Sequence, residues 1–304
     1  MPRMLLALLF LALPFPALAQ TKPSQDAIDA RLATTKFVLA LEVPTGGFLP
    51  KPSDPRKDQQ LPASLSATSA AVRTLKYLGA KVPNPEKHAA FVLSCLDPAT
   101  GGFGDTPKAP PSVRTTAVGV MAAFELDIPR AKVAKAMEFL ARNARTFEDV
   151  RIGAAAVEAW GLKDCPFQVE PWVEIALKHF SKLGFSPAQV EGARDAGSLA
   201  PFMLRMGAAV GKENMVQTMQ KGQRPDGAWG NDSVKTSDLE TTYRVMRGLH
   251  MLKSKPNDPG RVRAFLKSCR NPDGGYGVTP GEPSAIGPTY YATIVSHWLD
   301  GMEK

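Results

Sequence analysis

Four arginines recur at similar places in the chain. Arg114, Arg151, Arg194 and Arg244 each fall in the first or second turn of a helical segment rich in small residues. Helix N-termini present free amides and the positive end of the dipole, so guanidinium groups beside them suit an anion such as a diphosphate or a carboxylate. An arginine on an exposed helix face needs no ligand, and that second role is equally open to them. Asp238 and Glu240 begin another such segment and are the candidates for acid–base work. The pair also fits a capping aspartate followed by a solvated glutamate. With Asp149 and Asp195 they could furnish the facing carboxylates of a glycoside-cleaving site. Tyr243, Tyr290 and Tyr291 complete the set, in the pairs Thr242-Tyr243 and Thr289-Tyr290.

Metal chemistry has little to build on. His88, His179, His250 and His297 show no ligand spacing such as HExxH. Cys95, Cys165 and Cys269 are widely spaced, odd in number and free of any CxxC motif, so no cysteine zinc site or disulfide scaffold is expected. Each thiol fits a small buried hydrophobe, and a single disulfide stays open.

Helices must position these groups. Val262, Phe265, Leu266 and Cys269 fall at i, i+3, i+4 and i+7, as do Val133, Ala136, Met137 and Leu140, and no segment alternates with period two. Breakers and caps divide the chain into twelve predicted helices near 24–41, 66–79, 84–96, 113–126, 130–143, 149–162, 166–181, 193–208, 212–223, 238–252, 258–270 and 287–303. The loops between them repeat a signature: Gly46-Gly47-Phe48, Gly101-Gly102-Phe103-Gly104, Gly227-Ala228-Trp229-Gly230 and Gly274-Gly275-Tyr276-Gly277. A self-similar unit of helix, glycine-aromatic loop and helix marks a repeat architecture. Paired glycines allow positive φ and the aromatic can plug the gap between helical pairs, so these aromatics are expected to pack rather than to bind. Helices after the long loops are rich in small residues, among them Ala67, Ala70 and Ala71, or Ala117, Gly119, Ala122 and Ala123, which predicts an inner ring with charged partners outside. The expected fold is all-α: six hairpins closed into an (α/α)6 toroid around a cavity.

These loops resemble the prenyltransferase and squalene-cyclase repeat family. Gln223-Arg224-Pro225-Asp226-Gly227-Ala228-Trp229 looks like the cyclases' QxxDGxW motif, and Gly101-Gly102-Phe103-Gly104 and Asp273-Gly274-Gly275-Tyr276-Gly277 look like the GGFGG loops of protein prenyltransferase β-subunits. The resemblance implies an α/α toroid with its chemistry at the cavity mouth and an apolar cavity below for an isoprenoid chain. It also implies a zinc site and a diphosphate-binding histidine. Carried onto this chain, the zinc positions fall on Glu240, Thr242 and Gly287, and the histidine position on Ser112. Only Glu240 could ligate zinc, so no zinc and no other cofactor is expected. The acid of squalene-type cyclases lies in a DxDD motif, which this sequence lacks, and so is the CGEQ-like thioester sequence of complement-type toroids.

Composition sets the wider frame. With 44% hydrophobic and 22% charged residues the chain is an ordinary globular one, and its net charge of +8 is spread without a dense basic run, so no nucleic-acid partner is expected. Arg3, the apolar stretch 5–13 and Ala17-Leu18-Ala19 form a leader pattern, predicting export, cleavage after Ala19 and a single toroid domain over 20–304 without a membrane span. The sequence thus points to an exported toroid that binds an isoprenoid or other apolar small molecule, ringed by Arg114, Arg151, Arg194, Tyr243, Tyr290 and Tyr291. The alternative is a non-catalytic toroid for protein or envelope interaction, followed by an exported polysaccharide-active enzyme.

Overall fold

The structure is a computed structural model that describes residues 24–53, 61–182, 192–209 and 211–302; the leader expected over 1–19 lies outside them. Twelve α-helices run through the described residues. They are α1 (Gln25–Leu39), α2 (Leu65–Tyr77), α3 (Pro85–Ser94), α4 (Val113–Glu125), α5 (Arg130–Asn143), α6 (Phe147–Trp160), α7 (Glu170–Lys182), α8 (Ala193–Arg205), α9 (Lys212–Lys221), α10 (Leu239–Met251), α11 (Pro259–Ser268) and α12 (Ile286–Met302). Each coincides with an expected segment to within about a turn. Their starts follow from side-chain chemistry: Ser24, Ser64, Ser112, Asp238 and Asp258 accept backbone N–H groups as N-caps, and Pro85 and Pro259 occupy the first turn. Asp149 is not the start of α6. Thr146 caps that helix, and Asp149 completes a capping box by accepting the Thr146 N–H at 3.0 Å.

The even-numbered helices form the inner ring. α2 packs on α4, α4 on α6, α6 on α8, α8 on α10, α10 on α12, and α12 returns to α2. The odd-numbered helices lie against their outer side. Small residues make the close approaches: a Cβ added at Gly197 of α8 would lie 2.7 Å from the Val245 Cα of α10. The inner helices run parallel, because residues at matching heights pair across neighbours. Lys76 at the end of α2 bonds Glu125 at the end of α4, and Arg205 at the end of α8 bonds Glu158 near the end of α6.

The glycine-aromatic loops are the joints of this ring. Phe48, Phe103 and Trp229 are fully buried and Tyr276 is half-buried. In every case the backbone N–H of the aromatic donates to a threonine of the following inner helix: Phe48 to Thr68 at 3.0 Å, Phe103 to Thr116 at 2.9 Å, Trp229 to Thr242 at 3.2 Å and Tyr276 to Thr289 at 3.1 Å. The last loop also closes the circle, since Thr34 of α1 donates to the Gly274 carbonyl and Arg270 donates to the Ala30 carbonyl. Gly274 sits at φ +87°, where a Cβ would collide with the Ala33 carbonyl. In the first joint the fully buried His88 accepts the Gly47 N–H at 3.1 Å, and burial pushes its imidazole down toward the neutral form this bond requires. All three cysteines are free; Cys95 and Cys269 are buried, which pushes both thiols up to about 11.

Two substitutions test these joints. Gly274→Ala combines a left-handed φ with a backbone collision and is expected to destabilise by about 2 kcal/mol or more. Thr242→Val leaves a buried N–H without a partner, at about 1–3 kcal/mol. Urea unfolding checks both, and wild-type midpoints would show that the joints carry no stability.

Candidate functional site

The inner ring encloses a cavity of about 1030 Å³. Ala67 and Ala70 of α2, Val118, Met121 and Phe124 of α4, and Ile152, Ala155 and Ala159 of α6 give it an apolar wall. The opposite wall and both ends are polar, which corrects the expectation of an apolar chamber beneath a charged mouth.

At the mouth, formed by the N-terminal turns of the inner helices, charges alternate in one chain. Arg151 donates to Glu148 at 2.6 Å, Glu148 accepts Arg244 at 3.3 Å, Arg244 donates to Glu240 at 2.7 Å, and Glu240 faces Arg194 at 3.6 Å. Burial pushes the Glu148 carboxyl up, but hydrogen bonds and charge from Arg151 and Arg244 outweigh it and hold the group at about 2. Glu240 follows the same pattern, with Arg244 and Arg194 overcoming burial. Arg151, Arg194 and Glu240 are thus brought into one chain of charges, Arg151 paired with Glu148 and Glu240 with Arg244 and Arg194, rather than standing as free groups. Arg194 is turned toward Thr241, to which it donates at 3.0 Å, and lies outside the cavity lining. Asp238 lies outside it too: its carboxylate caps α10 by accepting the Thr241 N–H at 2.7 Å, so the capping role and not acid–base work describes it. Arg114 stands exposed at the rim. Of the carboxylates named for a glycoside-cleaving pair, Asp149 and Glu240 line the cavity, the first bonded to Thr146 in its capping box and the second ion-paired, while Asp238 and Asp195 lie off it; burial and Asp232 push the Asp195 carboxyl up.

Tyr243, Tyr290 and Tyr291 do converge. The Tyr243 ring stacks on Tyr291 at 4.7 Å and meets Tyr290 edge-on at 5.7 Å. Below them, in the C-terminal halves of the inner helices, lie three arginines that sequence reasoning missed. Arg247 donates to the Tyr243 hydroxyl at 3.2 Å and lies over its ring; Arg73 lies over the Tyr290 ring at 4.9 Å; Arg205 pairs with Glu158 at 2.7 Å. Arg73 has Glu125 at 3.7 Å, whereas Arg247, only 7% exposed, meets no carboxylate among the described residues. The signal available in the sequence was a charge interrupting the apolar stripe of an inner helix, as Arg247 does four residues after Tyr243. Burial alone would push the Tyr243 phenol up, but Arg247, Arg73 and Arg205, with a contribution from Tyr290, bring it down to about 8. Burial and the neighbouring Tyr243 push Tyr290 the other way, and burial with Glu240 raises Tyr291 to about 12.

This geometry is that of a known fold. A sequence model described as the prenyltransferase alpha-alpha toroid domain matches residues 5–159 and 198–302. The chain belongs to the prenyltransferase α/α-toroid family. Among solved structures, a protein from Actinoplanes is similar with a TM-score of 0.59 and 15% identity over 91% of this chain and 99% of that one. A type II terpene cyclase from Scytonema, in complex with geranylgeranyl dihydroxybenzoate as substrate, is similar with a TM-score of 0.59 and 13% identity over 91% of this chain and 97% of that one. A protein described as a glycosidase gives 0.57 and 11% over 90% and 96%. At these identities the likeness is one of fold. No curated protein matches the sequence.

The zinc that the family resemblance implies does not fit this toroid's residues. Thr242 Oγ1 is held by the loop joint, accepting the Trp229 N–H and facing the Trp229 carbonyl at 3.3 Å; Glu240 is ion-paired; Gly287 offers no donor atom. Among the described residues no three His, Cys, Asp or Glu side chains come together as a metal site.

The Tyr243 environment has a direct readout. Tyrosinate difference absorbance is expected to show one phenol ionising near 8, ahead of the ordinary value of about 10. The step should vanish in Tyr243→Phe and move up in Arg247→Gln. A first ionisation at the ordinary value would contradict the arrangement.

Proposed function

We propose that this toroid is an exported ligand-binding protein whose cavity takes a small amphiphilic molecule, an isoprenoid or a compound of similar shape, without the zinc or DxDD chemistry of catalytic relatives. The observation that carries the reading is the apolar wall of α4 and α6 facing a polar, arginine-rich wall across about 1030 Å³. Such a cavity accommodates a hydrocarbon on one side and polar groups on the other. The leader pattern ending at Ala19 supports export. Among the described residues no helix is long and apolar enough to cross a membrane. The second reading, docking on another protein, draws on the outer helix α1, where Ile28, Leu32 and Leu39 are exposed.

The test is to purify the protein from its own cells, extract it with organic solvent and identify bound lipid by mass spectrometry. Met121→Trp, which fills the apolar side, is expected to reduce the recovered ligand about tenfold while folding is kept. Absence of extractable amphiphile, together with no thermal stabilisation by isoprenoid or fatty-acid-type phosphates and carboxylates, would remove the ligand reading and leave the docking one. The same preparation is expected to begin at Gln20 by intact mass and, after zinc reloading, to hold no stoichiometric zinc by elemental analysis. An intact Met1 or one zinc per chain would refute those two parts.

A further inference from the structure

We propose that the floor of the cavity, where Arg73, Arg205 and Arg247 converge on Tyr243 and Tyr290, binds an oxyanion, a carboxylate or phosphate, present as a free ion or as the head group of the cavity's ligand. The inference deepens the cavity reading above and makes its ligand enter head first, with its charge at the far end from the mouth.

Arg244 and Arg247 are neighbours on α10 and similarly buried, at 9% and 7% exposed. Arg244 is satisfied by Glu240 and Glu148. Among the described residues Arg247 has only the Tyr243 hydroxyl, and its Nε–H is buried without an acceptor. Among the described residues the Nε–H of Arg73, which has a Glu125 oxygen no nearer than 3.7 Å, and the hydroxyl of Tyr290, 5% exposed, are also buried without a hydrogen-bond partner. These three groups come from α2, α10 and α12, and all three residues line the same cavity. Buried donors without acceptors are uncommon and unfavourable, so three around one volume mark a place where an acceptor belongs.

Charge selects the acceptor. Among the described residues the only carboxylates that Arg73, Arg205 and Arg247 face are Glu125 and Glu158, and the exposed Lys76 draws on Glu125 as well, so the floor keeps an excess of positive charge. A carbonyl or hydroxyl oxygen would satisfy the N–H groups but leave that charge buried. An oxyanion does both, and the guanidinium fork matches the spacing of its oxygens. The Tyr243 phenol responds to the same field, being drawn below its ordinary value by these three arginines despite its burial. The mouth offers less to an anion, because Arg151, Arg194 and Arg244 each already meet Glu148 or Glu240 there, whereas Arg247 meets no carboxylate among the described residues.

Isothermal titration of the mature full chain with inorganic phosphate, decyl phosphate and decanol tests the proposal. Phosphate is expected to bind, and Arg247→Gln and Arg73→Gln each to weaken it about tenfold or more, as does loss of a charged hydrogen bond elsewhere. Tyr290→Phe, which removes one hydroxyl, should weaken it by a smaller factor. Lys132→Gln on the outer helix α5 is the equal-charge control and should leave affinity within about twofold. Ligand-free Arg247→Gln is expected to melt at or above the wild-type temperature, because the buried charge it removes is uncompensated; should it fail to fold, Arg73→Gln and Tyr290→Phe decide the matter. Decyl phosphate binding more tightly than phosphate, with the same dependence on Arg247, identifies the anion as a head group. Phosphate binding that needs Arg247 while decyl phosphate gains nothing keeps the oxyanion site and removes the amphiphile reading. Decyl phosphate or decanol binding that ignores Arg247 and Arg73, or is lost instead on Arg114→Gln, overturns the proposal and leaves the amphiphile reading in place.

Discussion

A threonine one turn into an inner helix accepts the backbone N–H of the aromatic in the preceding loop, and this bond sets how the helix is turned about its axis. In three of the four joints the two residues are thirteen apart, Phe103 to Thr116, Trp229 to Thr242 and Tyr276 to Thr289. Because the N–H is buried, losing its acceptor would cost about as much as a sizeable core truncation, and the helix cannot rotate without losing it. With Thr242 and Thr289 turned outward to their loops, the next residues, Tyr243 and Tyr290, face the cavity. The arginines at the following turns face it too. The Thr-Tyr pairs therefore have a divided role: the threonine holds the ring together and the tyrosine shapes its interior.

Closure then decides the electrostatics. Six helices meeting in a circle leave a space that side chains do not fill, and the parallel arrangement stacks like with like: N-terminal halves at one end, C-terminal halves at the other. At the mouth the alternation of Arg151, Glu148, Arg244, Glu240 and Arg194 lets each charge meet its opposite, so Glu148 stays ionised down to about 2. At the floor Arg73 and Arg205 meet Glu125 and Glu158, but among the described residues Arg247 meets no carboxylate and donates instead to a phenol. Similar chemistry gives a self-satisfied network at one end and an unsatisfied one at the other.

How much of this was legible before the structure depends on the distance over which each residue acts. Helices, caps and glycine-aromatic joints are local patterns and legible in the sequence; α6 begins ahead of the expected 149 because Thr146, in a reciprocal bond with Asp149, caps it three residues upstream. The burial of the loop aromatics was expected from packing. Site residues fared unevenly. Asp238 acts as the cap its alternative role described. Arg151, Arg194 and Glu240 share one neighbourhood, but it is joined by Arg194–Glu240 and Arg244–Glu148, contacts from α8 to α10 and from α10 to α6 that no spacing within one helix reveals. Arg73, Arg205 and Arg247 went unread because they sit late in their helices, away from the N-terminal turns where anion sites are usually sought. The role of His88 has a different reason for being illegible: its partner Gly47 lies across a joint, far from it in sequence.

The central claim is that the floor of the ring, and not its mouth, holds negative charge. Anomalous diffraction from crystals soaked in selenate, an analogue of phosphate and sulfate, tests it most directly. The account predicts a selenium peak between the Arg73 and Arg247 guanidiniums, within hydrogen-bond reach of the Tyr290 hydroxyl. A peak confined to the rim beside Arg114, or a floor whose arginines are closed off by the protein's own carboxylates, would contradict it.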